Sequence, residues 1–139
     1  MESLELNHIK VNLKLFNNQK KIYIFYNKDN IKKYKILRKL GVNLIKVGLK
    51  NNRMDIDKIL KKIKERQINH LLVEGGKMLT DYFVNNNFFN EFYLFKSSLN
   101  LKKLGQNNIL ATINKLDKQF KNKKKINTYL SNDVLIHYK

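Results

Sequence analysis

The pattern of apolar and polar positions predicts alternating strands and helices over much of the chain. Short apolar runs of strand type are each followed by apolar positions spaced every three or four residues, as in a helix with one buried face. The predicted strands are residues 22–26, 42–47 and 68–73, and the predicted helical stripes begin at Ile31, Ile56 and Met78. Such alternation with short links is typical of βαβ units on a parallel sheet.

Residues that favour turns and caps mark the ends of these helices. The turn at residues 27–30 contains capping side chains, and Asp55 stands directly before the second helical stripe. Gly41 stands where a glycine in the left-handed conformation commonly ends a helix. The sequence therefore predicts one helix that ends before Gly41 and another that begins after Asp55.

The character of the sequence changes from residue 88 onward. Residues 88–95 look like a strand that is entered from a turn, whereas residues 102–125 are polar and irregular. The apolar runs 126–130 and 134–138 flank a Ser-Asn-Asp turn, which predicts a hairpin. We therefore expect antiparallel strands at the C-terminal end of the sheet.

Together these patterns predict an α/β fold with three layers around a mostly parallel mixed sheet. At 139 residues the chain is long enough for a real core, and we expect a single domain over residues 1–139. The first twenty residues carry apolar side chains without a clean helix or strand period. Because a parallel α/β domain normally opens with a well-defined strand, we expect this domain to be incomplete.

The composition excludes several kinds of site. The chain has no cysteine, which rules out disulfides and thiolate metal sites. Its histidines have no mutual metal-ligand spacing, so no metal site is expected. Neither a signal peptide nor a membrane span is readable in the sequence, which predicts a cytoplasmic protein that does not contact a membrane.

The net charge of +18 would ordinarily indicate a nucleic-acid partner. The basic residues, however, are 26 lysines and only three arginines, and asparagine and isoleucine are also frequent. This indicates a compositional drift, since arginine is the residue that usually forms phosphate and base contacts. We expect solvated lysine faces and keep a basic nucleic-acid-binding module as a disfavoured alternative.

The most informative segment is residues 71–79, where an apolar run ends in Glu74, Gly75 and Gly76 and then becomes helical in pattern. A strand that stops at two glycines before a helix exposes backbone N–H groups to which a phosphate can bind. Lys77 opposes the helix dipole unless an anion binds there. Taken alone, the glycines are typical of a tight turn, and Glu74 could accept hydrogen bonds from that turn's own N–H groups.

The order of these segments resembles that of a known family. The matching segments are residues 39–42, 68–76, 89–94 and 131–135. They resemble the reductase domain of the bifunctional riboflavin-biosynthesis deaminase/reductase, which has a dihydrofolate-reductase-like fold. The resemblance covers most of the chain from about residue 21 onward, and the Leu-Leu-Val-Glu-Gly-Gly unit is fairly specific in this context.

The resemblance implies NADPH-dependent reduction of 5-amino-6-(5-phosphoribosylamino)uracil to its ribitylamino product. The resemblance also implies that Glu74 contacts the substrate, a pyrimidine ribosyl phosphate, and that Asn27 makes a further contact with the cofactor. The segment that it assigns to the NADP phosphates is Gly75, Gly76, Lys77, Met78, Leu79 and Thr80. No catalytic side chain is assigned, since the cofactor carries the chemistry of hydride transfer. Glu91 is expected to be structural, in an ion pair near the start of a strand.

Two features of the resembled family have no counterpart here. Nothing matches its Lys-x-Ala-x-Ser-x-Asp-Gly segment, which carries substrate and nicotinamide contacts, and the zinc deaminase half is absent. We therefore expect part of a reductase domain, as a gene fragment or one half of a split protein. Its expected partner is a second copy in a homodimer or a complementary N-terminal half. A non-catalytic dimerisation or NADP-binding remnant remains the alternative, because the C-terminal hairpin offers strand edges for pairing.

Overall fold

The computed structural model describes residues 5–17, 21–99, 109–128 and 132–139. These residues belong to two compact units, residues 1–72 and 73–139. Both units contain helices and strands, which confirms the predicted α/β class. Whether residues 1–139 form a single domain stays a prediction.

The first unit contains a βαβ element. Its members are β1 (Tyr23–Tyr26), α1 (Ile31–Lys39) and β2 (Asn43–Lys46). The two strands are parallel neighbours, with Tyr23 opposite Asn43 and Tyr26 opposite Lys46. Two of the predicted strands therefore pair as their pattern indicates, and their carboxyl ends lie at the same edge.

The ends of α1 are fixed by two residues. Asn30 Oδ1 accepts a hydrogen bond from the Lys33 backbone N–H at 2.8 Å, which satisfies a donor of the first turn. At the other end Gly41 has φ +77°, and its N–H donates to the Arg38 carbonyl at 3.0 Å. Glycine adopts this left-handed conformation without steric cost, so α1 ends where the sequence predicts.

The core of the first unit also uses residues that precede β1. Its buried members are Leu6, Phe16, Tyr26, Leu37 and Val42. Leu6 and Phe16 come from two short 3₁₀ turns, Leu6–His8 and Lys14–Asn17. Among the side chains described in these turns, one in each is buried, which explains why this stretch shows no helix or strand period.

A small hairpin follows β2 and was not predicted. Its strands β3 (Leu49–Lys50) and β4 (Arg53–Met54) are antiparallel. They are joined by Asn51 and Asn52, whose φ angles are 53° and 59°. Asparagine tolerates this left-handed region better than most residues. Strands of two residues are too short for their period to be read in a sequence.

The next helix, α2 (Ile56–Lys64), begins where predicted. The Asp55 carboxylate accepts a hydrogen bond from the Lys58 backbone N–H at 3.1 Å, and Lys58 Nζ lies 3.4 Å from the same carboxylate. The backbone hydrogen bond is the main reason why the pKa of Asp55 lies below its usual range. Asp55 is therefore a helix cap, as the sequence indicated.

The segment predicted to be the third strand is not a strand. Residues 68–76 form neither strand nor helix, and the side chain of Leu72 is 81% exposed. The prediction that Glu74 and the two glycines end a central strand is therefore wrong. A strand requires a neighbour for its backbone N–H and C=O groups, and none of the described residues pairs with this segment. Among those residues, the parallel pairing consists of β1 with β2 and an isolated bridge between Glu5 and Lys28.

The second unit contains two helices and a three-stranded sheet. Its elements are α3 (Lys77–Asn85), β5 (Phe92–Lys96), α4 (Leu110–Gln119), β6 (Lys123–Ile126) and β7 (Val134–Tyr138). The strand order is β5-β7-β6, and both pairs are antiparallel. This confirms the predicted antiparallel strands at the C-terminal end. The predicted first strand of the hairpin, 126–130, has the wrong bounds, since β6 ends at Ile126, and residues 129–131, including Ser131 of the predicted turn, lie outside the described residues.

The core of the second unit joins both helices to one face of the sheet. Its buried members are Val84, Leu94, Leu116 and Tyr138. Leu116 belongs to α4, which occupies part of the stretch that was expected to be irregular, so that expectation is wrong. Only a narrow apolar stripe, including Ile113 and Leu116, faces this core. The polar residues between these positions obscure the helical period.

Candidate functional site

Gly76 is the N-cap residue of α3 and faces open space. Its φ and ψ angles are −73° and 178°, and its carbonyl accepts hydrogen bonds from the N–H groups of Leu79 and Thr80 at 3.1 and 3.2 Å. Any L-residue can adopt this backbone conformation. A Cβ at Gly76 would meet no described atom within 4 Å. Neither packing nor backbone geometry therefore requires a glycine here.

Gly75, in contrast, is explained by packing. A Cβ at this position would lie 2.6 Å from Leu79 Cδ2, closer than carbon atoms pack, and 3.0 Å from Leu79 Cβ, which is a tight contact. Glycine allows the chain to pass close to the first turn of α3. The two adjacent glycines thus have different roles, since only Gly75 is demanded by the fold.

Lys77 opens α3 and is paired with Asp81 one turn later. The Asp81 carboxylate also accepts a hydrogen bond from the Thr112 hydroxyl on α4. The hydrogen bond from Lys77 is the main reason why the pKa of Asp81 lies below its usual range, and Thr112 adds to it. The positive charge of Lys77 in the first turn is therefore balanced by the Asp81 carboxylate within the same helix. This reduces the unfavourable interaction of Lys77 with the helix dipole.

The other predicted site residues form one continuous stretch around the start of α3. Met78 is exposed, whereas Leu79 and Thr80 are half-buried within the first turn. Glu74 is exposed and lies two residues before the cap. The structure therefore places residues 74–80 together at a helix N-terminus, but not at the end of a strand.

Asn27, the remaining predicted cofactor contact, lies in the first unit directly after β1. Its Oδ1 atom is buried and has no hydrogen-bond partner among the described residues. A buried carbonyl oxygen without a donor is unfavourable, and such atoms are rare in folded proteins. A bound group with an N–H or O–H donor would satisfy it. Sequence alone could not reveal this unpaired acceptor, because it depends on local packing.

Polar groups surround the carboxyl edge of β1 and β2. Lys46, the last residue of β2, forms an ion pair with Asp29. The hydrogen bond to Asp29 raises the pKa of Lys46, and burial raises the pKa of Tyr26 at the end of β1. This edge therefore carries a balanced ion pair and a neutral phenol beside Asn27.

Residues 5–132 match a family model described as the RibD C-terminal domain. The chain belongs to the RibD C-terminal domain family. It is also 27% identical over 115 residues to the riboflavin biosynthesis protein RibD of Actinobacillus pleuropneumoniae. That similarity covers 79% of this chain and 30% of the relative. The family match confirms the resemblance that the sequence indicated, and residues 27 and 74–80 all lie within it.

Two further kinds of feature are absent from the described parts of the chain. Those residues contain no group of three or more His, Cys, Asp or Glu side chains placed to hold a metal ion. Within the same residues, no helix has the length and apolar character needed to cross a membrane. The stretch before α3 and the edge at Asn27 are thus the features that the geometry of the described residues singles out.

Proposed function

We propose that this chain is an NADPH-dependent reductase of riboflavin biosynthesis, which reduces 5-amino-6-(5-phosphoribosylamino)uracil to its ribitylamino product in the cytoplasm. Membership of the RibD C-terminal domain family supports this proposal. The observation that carries the cofactor assignment is the open space at Gly76, where the fold itself does not require a glycine. A ligand that must approach the backbone closely accounts for a glycine at this position.

The start of α3 fits a dinucleotide phosphate. The first N–H groups of a helix have no partner within the helix, and the helix dipole adds positive potential there. Without a side chain at Gly76, a phosphate oxygen can reach the backbone directly. Lys77 adds a positive charge beside this place, although Asp81 shares its ammonium group. Residues 75–80 would therefore hold the phosphates of NADPH.

Asn27 and Glu74 would make the remaining polar contacts. The unpaired Asn27 Oδ1 would accept a hydrogen bond from a hydroxyl or amide donor of NADPH. The exposed Glu74 would accept hydrogen bonds from the substrate, since an ionised carboxylate only accepts. When bound, NADPH supplies the hydride, and the residues of the chain bind and orient both molecules.

Titration calorimetry with NADPH tests this proposal. Wild type is expected to bind, with an affinity that falls as salt rises. Gly76→Asp places a side chain and a negative charge where the phosphate would lie, and we expect it to weaken binding by about a hundredfold or more. Gly48→Asp is a matched control, because Gly48 is also exposed and its Cβ would lie 3.9 Å from Lys58 Nζ.

The outcomes separate this proposal from its alternatives. Equal NADPH binding by wild type and Gly76→Asp would disprove the assignment of Gly76. If the chain is instead a remnant that no longer binds the cofactor, the wild-type protein would show no affinity for NADPH. A nucleic-acid-binding module would instead bind DNA or RNA with steep salt dependence, which Gly76→Asp would barely change.

A further inference from the structure

A cavity of about 320 Å³ lies where α3 and α4 end in the second unit. This volume is within the usual range of small-molecule sites, about 300–1,000 Å³. Gly76 caps the opposite end of α3, about 14 Å away along an axis of nine residues, so the cavity is separate from the proposed phosphate position. We call it the amide pocket, and its lining residues are Asn87, Phe89, Gln119 and Phe120.

Two phenylalanines form the apolar wall of the amide pocket. The ring centroids of Phe89 and Phe120 are 5.2 Å apart, and their planes are tilted by 30°. Phe89 packs edge-on against Phe92, and Phe120 packs edge-on against Tyr138 of the core. The two rings are therefore held in place from behind while they remain half-buried. Such a wall suits a planar ring system, which stacks on aromatic side chains.

The polar side of the amide pocket consists of two side-chain amides. Asn87 has the left-handed φ angle of 56° directly after α3, and its Oδ1 accepts a hydrogen bond from Gln119 Nε2 at 2.8 Å. Gln119 Oε1 and Asn87 Nδ2 are then an acceptor and a donor without a partner among the described residues. A nucleobase presents a donor and an acceptor side by side on its edge, as adenine does with N6 and N7.

Three lysines surround these amides. Lys115 lies one turn before Gln119 on α4, and its Nζ donates to Asn85 Oδ1 at 3.0 Å. Lys118 and Lys121 flank the two lining residues of α4 in sequence, and both are exposed. None of the three lysines pairs with a carboxylate of any described residue. Their charge is therefore available to an anion.

The carboxylates nearest to the amide pocket in sequence do not cancel this charge. Asp117 is paired with Lys123 at 2.9 Å, and Glu91 lies 3.6 Å from Lys139 Nζ. Each of these acidic side chains thus has its own cation. The surroundings of the pocket keep an excess of positive charge, which favours an anionic ligand.

We propose that the amide pocket binds a nucleotide. The base packs on Phe89 and Phe120, its edge forms hydrogen bonds with Gln119 and Asn87, and the phosphate contacts the surrounding lysines. An apolar wall alone would accept many molecules, and lysines alone would accept any anion. Together they select a flat ring with a polar edge that is joined to a phosphate. The site uses none of the residues assigned to NADPH and does not depend on the proposed reductase activity.

Titration calorimetry with AMP tests the amide pocket. Wild type is expected to bind AMP, whereas adenosine and ribose 5-phosphate, which each lack one half of the ligand, should bind at least about tenfold more weakly. Gln119→Ala and Lys118→Glu should each weaken AMP binding about tenfold. Lys64→Glu is the matched control, because Lys64 is also exposed in the last turn of a helix, α2. Equal loss of binding in Lys64→Glu and Lys118→Glu would overturn the proposal.

A second variant separates this pocket from the cofactor site, since NADPH also contains an adenine nucleotide. Gly76→Asp should leave AMP binding unchanged, and Gln119→Ala should leave NADPH binding unchanged. Loss of AMP binding in Gly76→Asp but not in Gln119→Ala would place AMP in the cofactor site and overturn the proposal. A wild type that binds hexaadenylate but not AMP, or neither of them, would overturn it as well. A wild type that binds AMP but not NADPH would support the amide pocket and disprove only the proposed cofactor.

Discussion

Tyr93 and His137 stack face to face across β5 and β7, with ring centroids 4.4 Å apart and planes 1° apart. Glu91 contacts both side chains, and Lys139 Nζ lies 3.6 Å from its second oxygen. The prediction that Glu91 forms an ion pair near the start of a strand is therefore confirmed. The cluster links the beginning of β5 to the end of β7.

Replacing Glu91 should change how stability depends on pH. The hydrogen bond from Tyr93 is the main reason why the pKa of Glu91 lies below its ordinary 4.5, and Lys139 contributes next. A lowered pKa means that Glu91 stabilises the fold above pH 4.5 and loses this effect as the pH falls through the lowered value. Glu91→Gln should therefore lower the urea midpoint at neutral pH, and the difference from wild type should shrink in acid.

Glu65→Gln is the control for this pH experiment. Glu65 pairs with Lys62 at 3.2 Å near the end of α2, where both side chains are well exposed. Exposed pairs of this kind contribute little to stability, so the urea midpoint should hardly move. A Glu91→Gln difference that stays constant from neutral to strongly acidic pH would contradict the role given to Glu91.

Removing the carboxylate of Asp81 should destabilise the second unit. Asp81 pairs with Lys77 and accepts a hydrogen bond from the buried Thr112 of α4. Because its side chain is three-quarters buried, we expect Asp81→Ala to lower the free energy of unfolding by about 1–3 kcal/mol. Asp57→Ala removes an exposed pair with Lys50 and should cost less than about 1 kcal/mol.

Urea unfolding of the single and double variants completes the Asp81 test. Thr112→Val removes the hydroxyl that donates to Asp81 and keeps a similar volume. Both changes break the same contact. The losses in free energy of unfolding of the two single variants should therefore add up to more than the loss in the double variant. Strict additivity would show that Asp81 and Thr112 are not coupled.

The two glycines before α3 should respond differently to substitution. Gly75→Ala forces a Cβ against Leu79 and is expected to lower the free energy of unfolding by about 1–3 kcal/mol. Gly76→Ser adds a hydroxyl that can cap α3 in open space, so stability should be unchanged or slightly higher. Thermal or urea unfolding checks both variants. Equal destabilisation by both would contradict the packing described for Gly75.

The chain alone is expected to be a slow reductase. The 139 residues contain no Lys-x-Ala-x-Ser-x-Asp-Gly segment, to which the resembled family assigns substrate and nicotinamide contacts. Loss of positioning can lower a rate by orders of magnitude. Adding a chain that carries this segment should restore NADPH oxidation with the ribosylaminouracil phosphate as substrate. Full turnover by residues 1–139 alone would contradict this expectation.

Local features of the fold could be predicted because they depend on neighbours in sequence. Asn30, Gly41 and Asp55 mark helix ends through contacts that span three or four residues. The parallel pairing of β1 and β2 also follows from local patterns, since one helix joins the two strands. Among the candidate site residues, the segment at Gly76 could be proposed from the sequence because its glycines directly precede a helix.

Features that depend on distant partners could not be predicted in the same way. Leu71, Leu72 and Val73 have the composition of a strand, yet none of the described residues pairs with them. The apolar stripe of α4 becomes recognisable only when the sheet that it covers is known. The unpaired oxygen of Asn27 depends on burial, which no spacing of residues reveals.

The position of β7 between β5 and β6 has a consequence for biosynthesis. Phe92 of β5 pairs with Tyr138 of β7, although most of the sequence of the second unit lies between them. Lys123 of β6 pairs with Tyr138 from the other side. Neither ladder can form until β7 has left the ribosome, so β5 must wait unpaired while the intervening chain is made. A nascent chain that stops before Val134 would therefore form neither ladder. Its strand β5, which is rich in aromatic residues, would remain unpaired and would be a substrate for chaperones.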